Sequence, residues 1–273
     1  MTTQRTLLHT SKHQDRTLLM GILNVTPDSF SDGGQWTDLD RAVAHAKQMV
    51  ADGADVIDIG GESTRPGHEE ISAEEEIKRV VPVIERLARE IDTPLSIDTY
   101  KASVAEAAIR AGAHIINDIW GCKKDSEMAA TCARLHVPII LMHNRETPAE
   151  KDVMPTVLRD LEDCIALVKN AGVPDEHIWI DPGIGFGKTH EQNLYVMKHL
   201  DQLTTLGYPM LLATSRKSMI GNALNLPVDQ RLEGTAATVA FGIAKGANMV
   251  RVHDVKEMGR VARMTDAMMR IEL

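Results

Sequence analysis

The stretch Gly21-Ile-Leu-Asn24-Val-Thr-Pro-Asp-Ser-Phe-Ser-Asp-Gly-Gly34 changes character at Asn24. Residues 18–23 are continuously apolar apart from Gly21 and read as a buried strand, and beyond Asn24 comes a run of small polar residues, Pro and Gly. A strand that ends in an amide and opens into a Thr/Asp/Ser/Gly loop places hydrogen-bonding groups at its carboxyl edge, where parallel α/β folds bind ligands. One such stretch is also what an ordinary βα loop looks like. Its repetition along the chain decides between the two.

Apolar strands and amphipathic helical stretches alternate from end to end, the pattern that builds a parallel sheet. Strands are predicted at 19–24, 56–60, 95–98, 115–118, 139–142, 178–181, 210–213 and 249–252. Between them lie helices such as the one opened by the capping sequence Ser72-Ala-Glu-Glu75 and continued by IKRVVPVIERLAREI, and the one at 102–111. Gly53, Gly112, Gly172, Gly207 and Gly246 each stand a few residues before the next strand, where a left-handed glycine ends a helix. Eight βα units point to a (β/α)8 barrel rather than an open doubly wound sheet, and no GxGxxG comes after the first strand to support a dinucleotide fold. A single domain over residues 1–273 is expected, with the short N-terminal segment forming a hairpin across the barrel bottom.

With 273 residues the chain can fill one large core. A net charge of −9 argues against a nucleic-acid surface, which would cluster Lys and Arg. No apolar run approaches a membrane span, and the polar start MTTQRTLLHTSKHQDR lacks a signal-peptide core, so a cytoplasmic location and no membrane partner are expected. Cys122, Cys132 and Cys164 are odd in number and show no CxxC spacing, which favours reduced thiols over disulfides or zinc.

If the strands close into a barrel, their carboxyl ends meet at one mouth. That rim carries Asn24, Asp58, Asp98, Asn117 with Asp118, His143 with Asn144, Asp181, Ser215-Arg-Lys217, and Arg251 with His253. Burying such groups unpaired costs about 1–3 kcal/mol each, so a ligand is implied. Asp58, Asp118 and Asn144 have an alternative use as braces for the loops. Asp98, Asn117 and Asp181 can read a flat heterocycle with adjacent N–H and NH2 groups, with Lys217 donating to a ring carbonyl. Arg251 and His253, with Asn24 nearby, form an opposite, cationic pole suited to phosphate or diphosphate.

The segments GILNVTPDSFSDGG, DIGGESTRPG, SIDTYK, INDIWG, LMH, DPGIGFGKT, TSRKSMIG, GTAA and RVHDV resemble, in order and spacing, those of the dihydropteroate synthase family, over most of the chain. The resemblance implies a TIM barrel, a homodimer, and the joining of 4-aminobenzoate to a dihydropterin diphosphate in folate biosynthesis. It implies pterin binding by Asp98, Asn117, Asp181, Phe186 and Lys217, and diphosphate binding by Asn24, Arg251 and His253. It also implies 4-aminobenzoate binding by Thr64, Arg65, Pro66 and Ser218, with Asn24 as the protein ligand of Mg2+, a cation that needs few protein oxygens beside a phosphate. Asp98, Lys217 and Arg251 would carry catalysis.

Loss of diphosphate ahead of attack by the arylamine would need no protein nucleophile, and the loops at 26–34 and 63–68 would close over the mouth to exclude water. A methyltetrahydrofolate:corrinoid methyltransferase barrel would share the Asp and Asn rim, but it expels no diphosphate and has no use for the full anion site. A pterin-binding homologue without turnover would not need Asn24, Arg65, Lys217 and Arg251 together. No HExxH or His-X-His spacing supports a zinc hydrolase.

Overall fold

The computed structural model describes residues 16–25, 35–62 and 70–271. In chain order the elements are β1 (Leu18–Asn24), α1 (Gln35–Ala51), β2 (Val56–Gly60), α2 (Ala73–Glu90), β3 (Leu95–Asp98), α3 (Ala102–Ala111), β4 (Ile115–Asp118), α4 (Met128–Leu135), β5 (Ile139–Met142), α5 (Val153–Asn170), β6 (Ile178–Asp181), α6 (His190–Lys198), β7 (Leu211–Leu212), α7 (Ser218–Leu224), α8 (Leu232–Ala244), β8 (Met249–Val252) and α9 (Val255–Met269). All eight strands are parallel, in the order β6-β5-β4-β3-β2-β1-β8-β7. The isolated bridge Ile180↔Met210 brings β7 back to β6, giving a nearly closed (β/α)8 TIM barrel. The expected N-terminal hairpin falls on residues that, up to 15, lie outside those described, as do the loops 26–34 and 63–68.

The seventh strand is shorter than the predicted 210–213, because Pro209 has no N–H to give a ladder and the Met210 N–H is taken by the Asn248 side chain at 2.9 Å. Glycine ends helices as expected: Gly112 caps α3 at φ 119°, and Gly53, Gly172, Gly207 and Gly246 also hold positive φ. The Ser72 hydroxyl accepts from the Glu75 N–H at 3.2 Å and so caps α2. Below the barrel, Asp266 of α9 accepts from both the N–H and the hydroxyl of Thr17, tying the start of β1 to the last helix.

Two apolar layers arise from the period of two along each strand. Leu19, Leu23, Ile57, Ile97, Ile116, Leu141, Ile180 and Val250 point outward and pack under the helices. Leu18, Met20, Val56, Ile115, Ile140, Trp179, Leu211 and Met249 point inward and plug the lower half of the barrel. Complete burial of a side chain as large as Trp179 contributes on the order of 2–3 kcal/mol, so this plug is a firm floor for whatever lies above it. The three cysteines are buried and unpaired with one another, and burial raises all three thiols above their usual range. Among the described residues no helix is long and apolar enough to cross a membrane.

Candidate active site

Two residues beyond the apolar floor the same inward-facing positions turn polar. Val56 gives way to Asp58, Ile115 to Asn117, Trp179 to Asp181, and Met249 to Arg251, while on β3 the position below Asp98 is already polar, the buried Ser96. The register sets these side chains beside one another, with Asp58 level with Ser96 and Asp98 level with Asn117. Sequence periodicity alone thus builds a polar layer of mixed charge on an apolar base.

Arg251 is the centre of this layer. Its Nε donates to Asp58 Oδ2 at 2.6 Å and its Nη2 to Asp98 Oδ2 at 2.7 Å. Asp58 also accepts from Asn117 Nδ2 at 3.0 Å. A carboxylate only accepts, so the Asn117 amide is fixed with its NH2 toward Asp58 and its carbonyl oxygen turned away. On sequence the cationic pole stands opposite the heterocycle site; the structure sets Arg251 directly on Asp98. β3 and β8 are separated by β2 and β1, but the inward-facing side chains of all four strands converge on the barrel axis, where the long Arg251 side chain reaches Asp98. Asp58 does not brace a loop but is the fully buried anchor of Arg251. Asp118 is the brace: its carboxylate accepts from the Trp120 and Cys122 N–H groups at 2.8 and 2.7 Å. Asn144 gives its backbone carbonyl to Lys123.

The layer is not self-sufficient. Asp98 Oδ1 and Asp58 Oδ1 are buried and make no hydrogen bond among the described residues. An oxygen of this kind costs about 1–3 kcal/mol unless a ligand or water satisfies it. Burial pushes the Asp98 carboxyl up to about 7 despite the opposing Arg251 charge, with Asp58 adding to the rise. Asp181 is raised in the same way by burial, against the pull of Lys217. Lys217 is lowered by desolvation to about 8, with the nearby Asp181 charge opposing the change.

Lys217 and Phe186 are brought together by two strand-end turns. Lys217 Nζ lies 4.7 Å from the Phe186 ring centroid and donates to the Ile184 carbonyl at 2.5 Å. The turn carrying Phe186 depends on glycine. Gly183 holds φ 65°, and a Cβ there would lie 1.8 Å from the His143 carbonyl oxygen. Its N–H donates to Asp181 Oδ1 at 2.7 Å, which fixes that carboxylate at the rim. Ser218 succeeds Lys217 as the exposed first residue of α7.

Asn24 closes β1 in register with Gly60, and Gly60 is in register with Asp98. A Cβ added to Gly60 would meet Asp98 Oδ2 at 3.7 Å and Asn24 Oδ1 at 3.8 Å, so the two oxygens face one side-chain-free space. His253 lies beyond β8, where its Nδ1 shares a 2.9 Å hydrogen bond with Ser215 Oγ and its N–H donates to the same oxygen. Arg216 turns away and pairs with Asp254. Thr64, Arg65 and Pro66 lie outside the described residues. The structure thus groups Asp98, Asn117, Asp181, Phe186, Lys217 and Arg251 around one mouth, with Asn24 and His253 at its rim. Sequence reasoning misses the anchoring role of Asp58 and all of Lys188; Asp58 carries the same inward parity as Asp98, whereas Lys188 sits in a turn with no period to read.

Residues 20–253 match the family model of the pterin binding enzymes. The dihydropteroate synthase of Clostridium beijerinckii is 60% identical over 257 residues, covering 94% of this chain and 96% of that protein. The solved dihydropteroate synthase of Clostridium difficile, in the presence of pteroic acid, superposes with a TM-score of 0.92 at 51% identity, covering 94% of this chain and 98% of that one. The Xanthomonas albilineans dihydropteroate synthase with 4-aminobenzoic acid gives a TM-score of 0.91 at 42% identity, over 94% and 95% of the two chains.

Proposed function

The chain belongs to the pterin binding enzyme family and, within it, to the dihydropteroate synthases, and on that premise we propose that it joins 4-aminobenzoate to (7,8-dihydropterin-6-yl)methyl diphosphate, releasing 7,8-dihydropteroate and diphosphate in folate biosynthesis. The observation that carries this reading is the unsatisfied Asp98 Oδ1, an acceptor enclosed in a polar layer with Asn117, Asp181 and Lys217 beside it. A pterin offers the complementary face. Its adjacent N–H and NH2 groups suit Asp181 and the Asn117 carbonyl, another ring N–H suits Asp98, and its ring carbonyl suits Lys217.

The charges direct the chemistry. As pterin engages Asp98, Arg251 stays anchored through Asp58 and turns its remaining nitrogens to the diphosphate, with His253 on the same group. The C–O bond breaks with its electron pair leaving on diphosphate; the ring stabilises the resulting methylene cation, and the Asp98 carboxylate lies close enough to favour it. The arylamine then forms the new C–N bond and loses a proton. The side-chain-free space at Gly60, with the Asn24 amide oxygen on it, fits Mg2+, which prefers a few hard protein oxygens plus phosphate and water. Mg2+ held by Asn24 would offset the charge of the leaving group. Thr64, Arg65, Pro66 and Ser218 would receive 4-aminobenzoate, and the loops 26–34 and 63–68 would exclude water.

The protein is further read as one pterin-binding domain, homodimeric and cytoplasmic. Val239 and Ile243 of α8 are core, but Phe241, Met264 and Met268 on α8 and α9 are 44%, 60% and 58% exposed, an apolar surface that a second copy would cover. Sedimentation velocity tests the dimer. The reaction is tested by diphosphate release from the dihydropterin diphosphate with Mg2+, expected only when 4-aminobenzoate is present. Tight pterin binding without release would leave a binding protein.

A further inference from the structure

One cation beside the site has no part in the chemistry proposed for it. Lys188 Nζ lies 2.7 Å from His143 Nδ1, 3.0 Å from the Gly183 carbonyl and 3.1 Å from the Phe186 carbonyl. The His143 ring is buried, and desolvation with the neighbouring Lys188, Lys123 and Arg145 charges lowers it to about 2, so it is neutral. Its Nε2 is 3.1 Å from Asp160 Oδ2. A carboxylate only accepts, so Nε2 carries the ring hydrogen and Nδ1 is bare. Lys188 therefore donates to Nδ1; burial lowers it to about 7 against the pull of Asp181, and in its charged form its three ammonium hydrogens meet three protein acceptors. Its donors are all used by the protein, so it acts on the chain rather than on a ligand.

Those acceptors belong to two different loops. His143 comes directly after β5, while Gly183 and Phe186 belong to the turn after β6. Within that turn the Phe186 N–H reaches the Gly183 carbonyl at 3.1 Å, and the segment between them supplies the Ile184 carbonyl to Lys217. Gly183, Gly185 and Gly187 all hold positive φ, so the turn is built from residues that resist no backbone rotation. Asn193 of α6 holds its middle by accepting from the Gly185 N–H at 2.6 Å, and Lys188 supplies the link to the β5 loop.

We infer that Lys188 is a positioning residue: it pins the β6 turn to the β5 loop through His143 and Asp160, and so holds Phe186 and the Ile184 carbonyl where they orient Lys217 toward the pterin. The inference rests on the reading of Phe186 and Lys217 as pterin-binding groups. Lys188→Met keeps an unbranched stem one atom shorter and removes all three donors. In the full-length variant, amide exchange over residues 183–187 is expected to quicken by about tenfold or more, while that of the barrel strands stays unchanged. The KM for the dihydropterin diphosphate is expected to rise about tenfold with a smaller change in kcat. In a Phe186→Ala background the Lys188→Met effect on KM is expected to shrink, because both changes release the same group.

His143→Gln, which removes the ring and its link to Asp160 but leaves Lys188, is expected to show the same pattern more weakly and serves if Lys188→Met does not fold. Unchanged exchange in 183–187 overturns the clamp whether or not the protein turns over substrate. Full additivity with Phe186→Ala overturns its role in pterin placement. Failure of the unmutated protein to bind the dihydropterin diphosphate, with the exchange response present, supports the clamp and overturns the proposed function alone.

Discussion

Arg251 Nη2 donates to Asp98 Oδ2 at 2.7 Å, a contact between residues 153 positions apart that joins the proposed anion-binding and heterocycle-binding halves of the mouth. Each group holds the other in place while the site is empty, so the charge of Asp98 bears on both halves. Asp98→Asn keeps the shape and removes that charge. Turnover is expected to fall roughly 100-fold or more, with circular dichroism and melting close to those of the unmutated protein. A near-normal rate would remove Asp98 from the chemistry.

Asp58 is a different case, because it is fully buried and shared by Arg251 and Asn117. Asp58→Ala leaves the guanidinium with one carboxylate in place of two and the Asn117 amide without its acceptor. A loss of about 3–5 kcal/mol is expected in denaturant unfolding, since removing one partner strands the other inside the protein. A loss below about 1 kcal/mol would mean that water reaches the layer and takes the place of the carboxylate.

The Asp98 carboxyl is pushed up to about 7 from an unfolded value near 3.8, chiefly by burial. Between those pH values the folded protein holds a proton that the unfolded chain has released. Its contribution to stability is therefore present at low pH and lost as pH rises through about 7, opposite to the usual carboxylate. Pterin binding runs the other way: the ionised form is the acceptor, so affinity is expected to fall as pH drops below about 7. Melting curves and pterin titrations from pH 5 to 8, compared with Asp98→Asn, check both signs; the variant is expected to flatten each.

Two glycines separate backbone strain from collision. Gly183 and Gly53 both hold positive φ, but a Cβ on Gly183 would strike the His143 carbonyl, whereas one on Gly53 would meet nothing within 4 Å. Gly53→Ala is expected to cost about 1 kcal/mol, the strain of a left-handed residue that carries a side chain. Gly183→Ala must move a strand-end loop and is expected to cost several times more and to abolish pterin binding. Thermal melts and calorimetric titration of the two variants test the difference.

The architecture is legible in the sequence because strands and helices differ in period, and buried strands end abruptly where polar residues begin. Seven strands fall within one residue of their expected bounds at either end. The strand at 210–213 falls short because Pro209 and the Asn248 side chain act on its ladder from outside any periodic signal. The polar rim formed by Asp98, Asn117 and Asp181 is legible because each lies at or next to the end of a strand. The contact of Arg251 with Asp98 is not, since strand-to-strand register is a property of the closed barrel. Lys188 is invisible for a related reason: its meaning lies in three acceptors drawn from two turns.

The barrel is stitched least firmly between β6 and β7, where one bridge, Ile180↔Met210, stands in for a ladder. Asp181 ends one side of that seam, and Lys217 lies just past the other. A pterin held by both at once would work as a staple, supplying across the gap the hydrogen bonds that the backbone does not make. Substrate is then a late structural part of the enzyme, and occupancy should be felt as tightening of the wall farthest from β2.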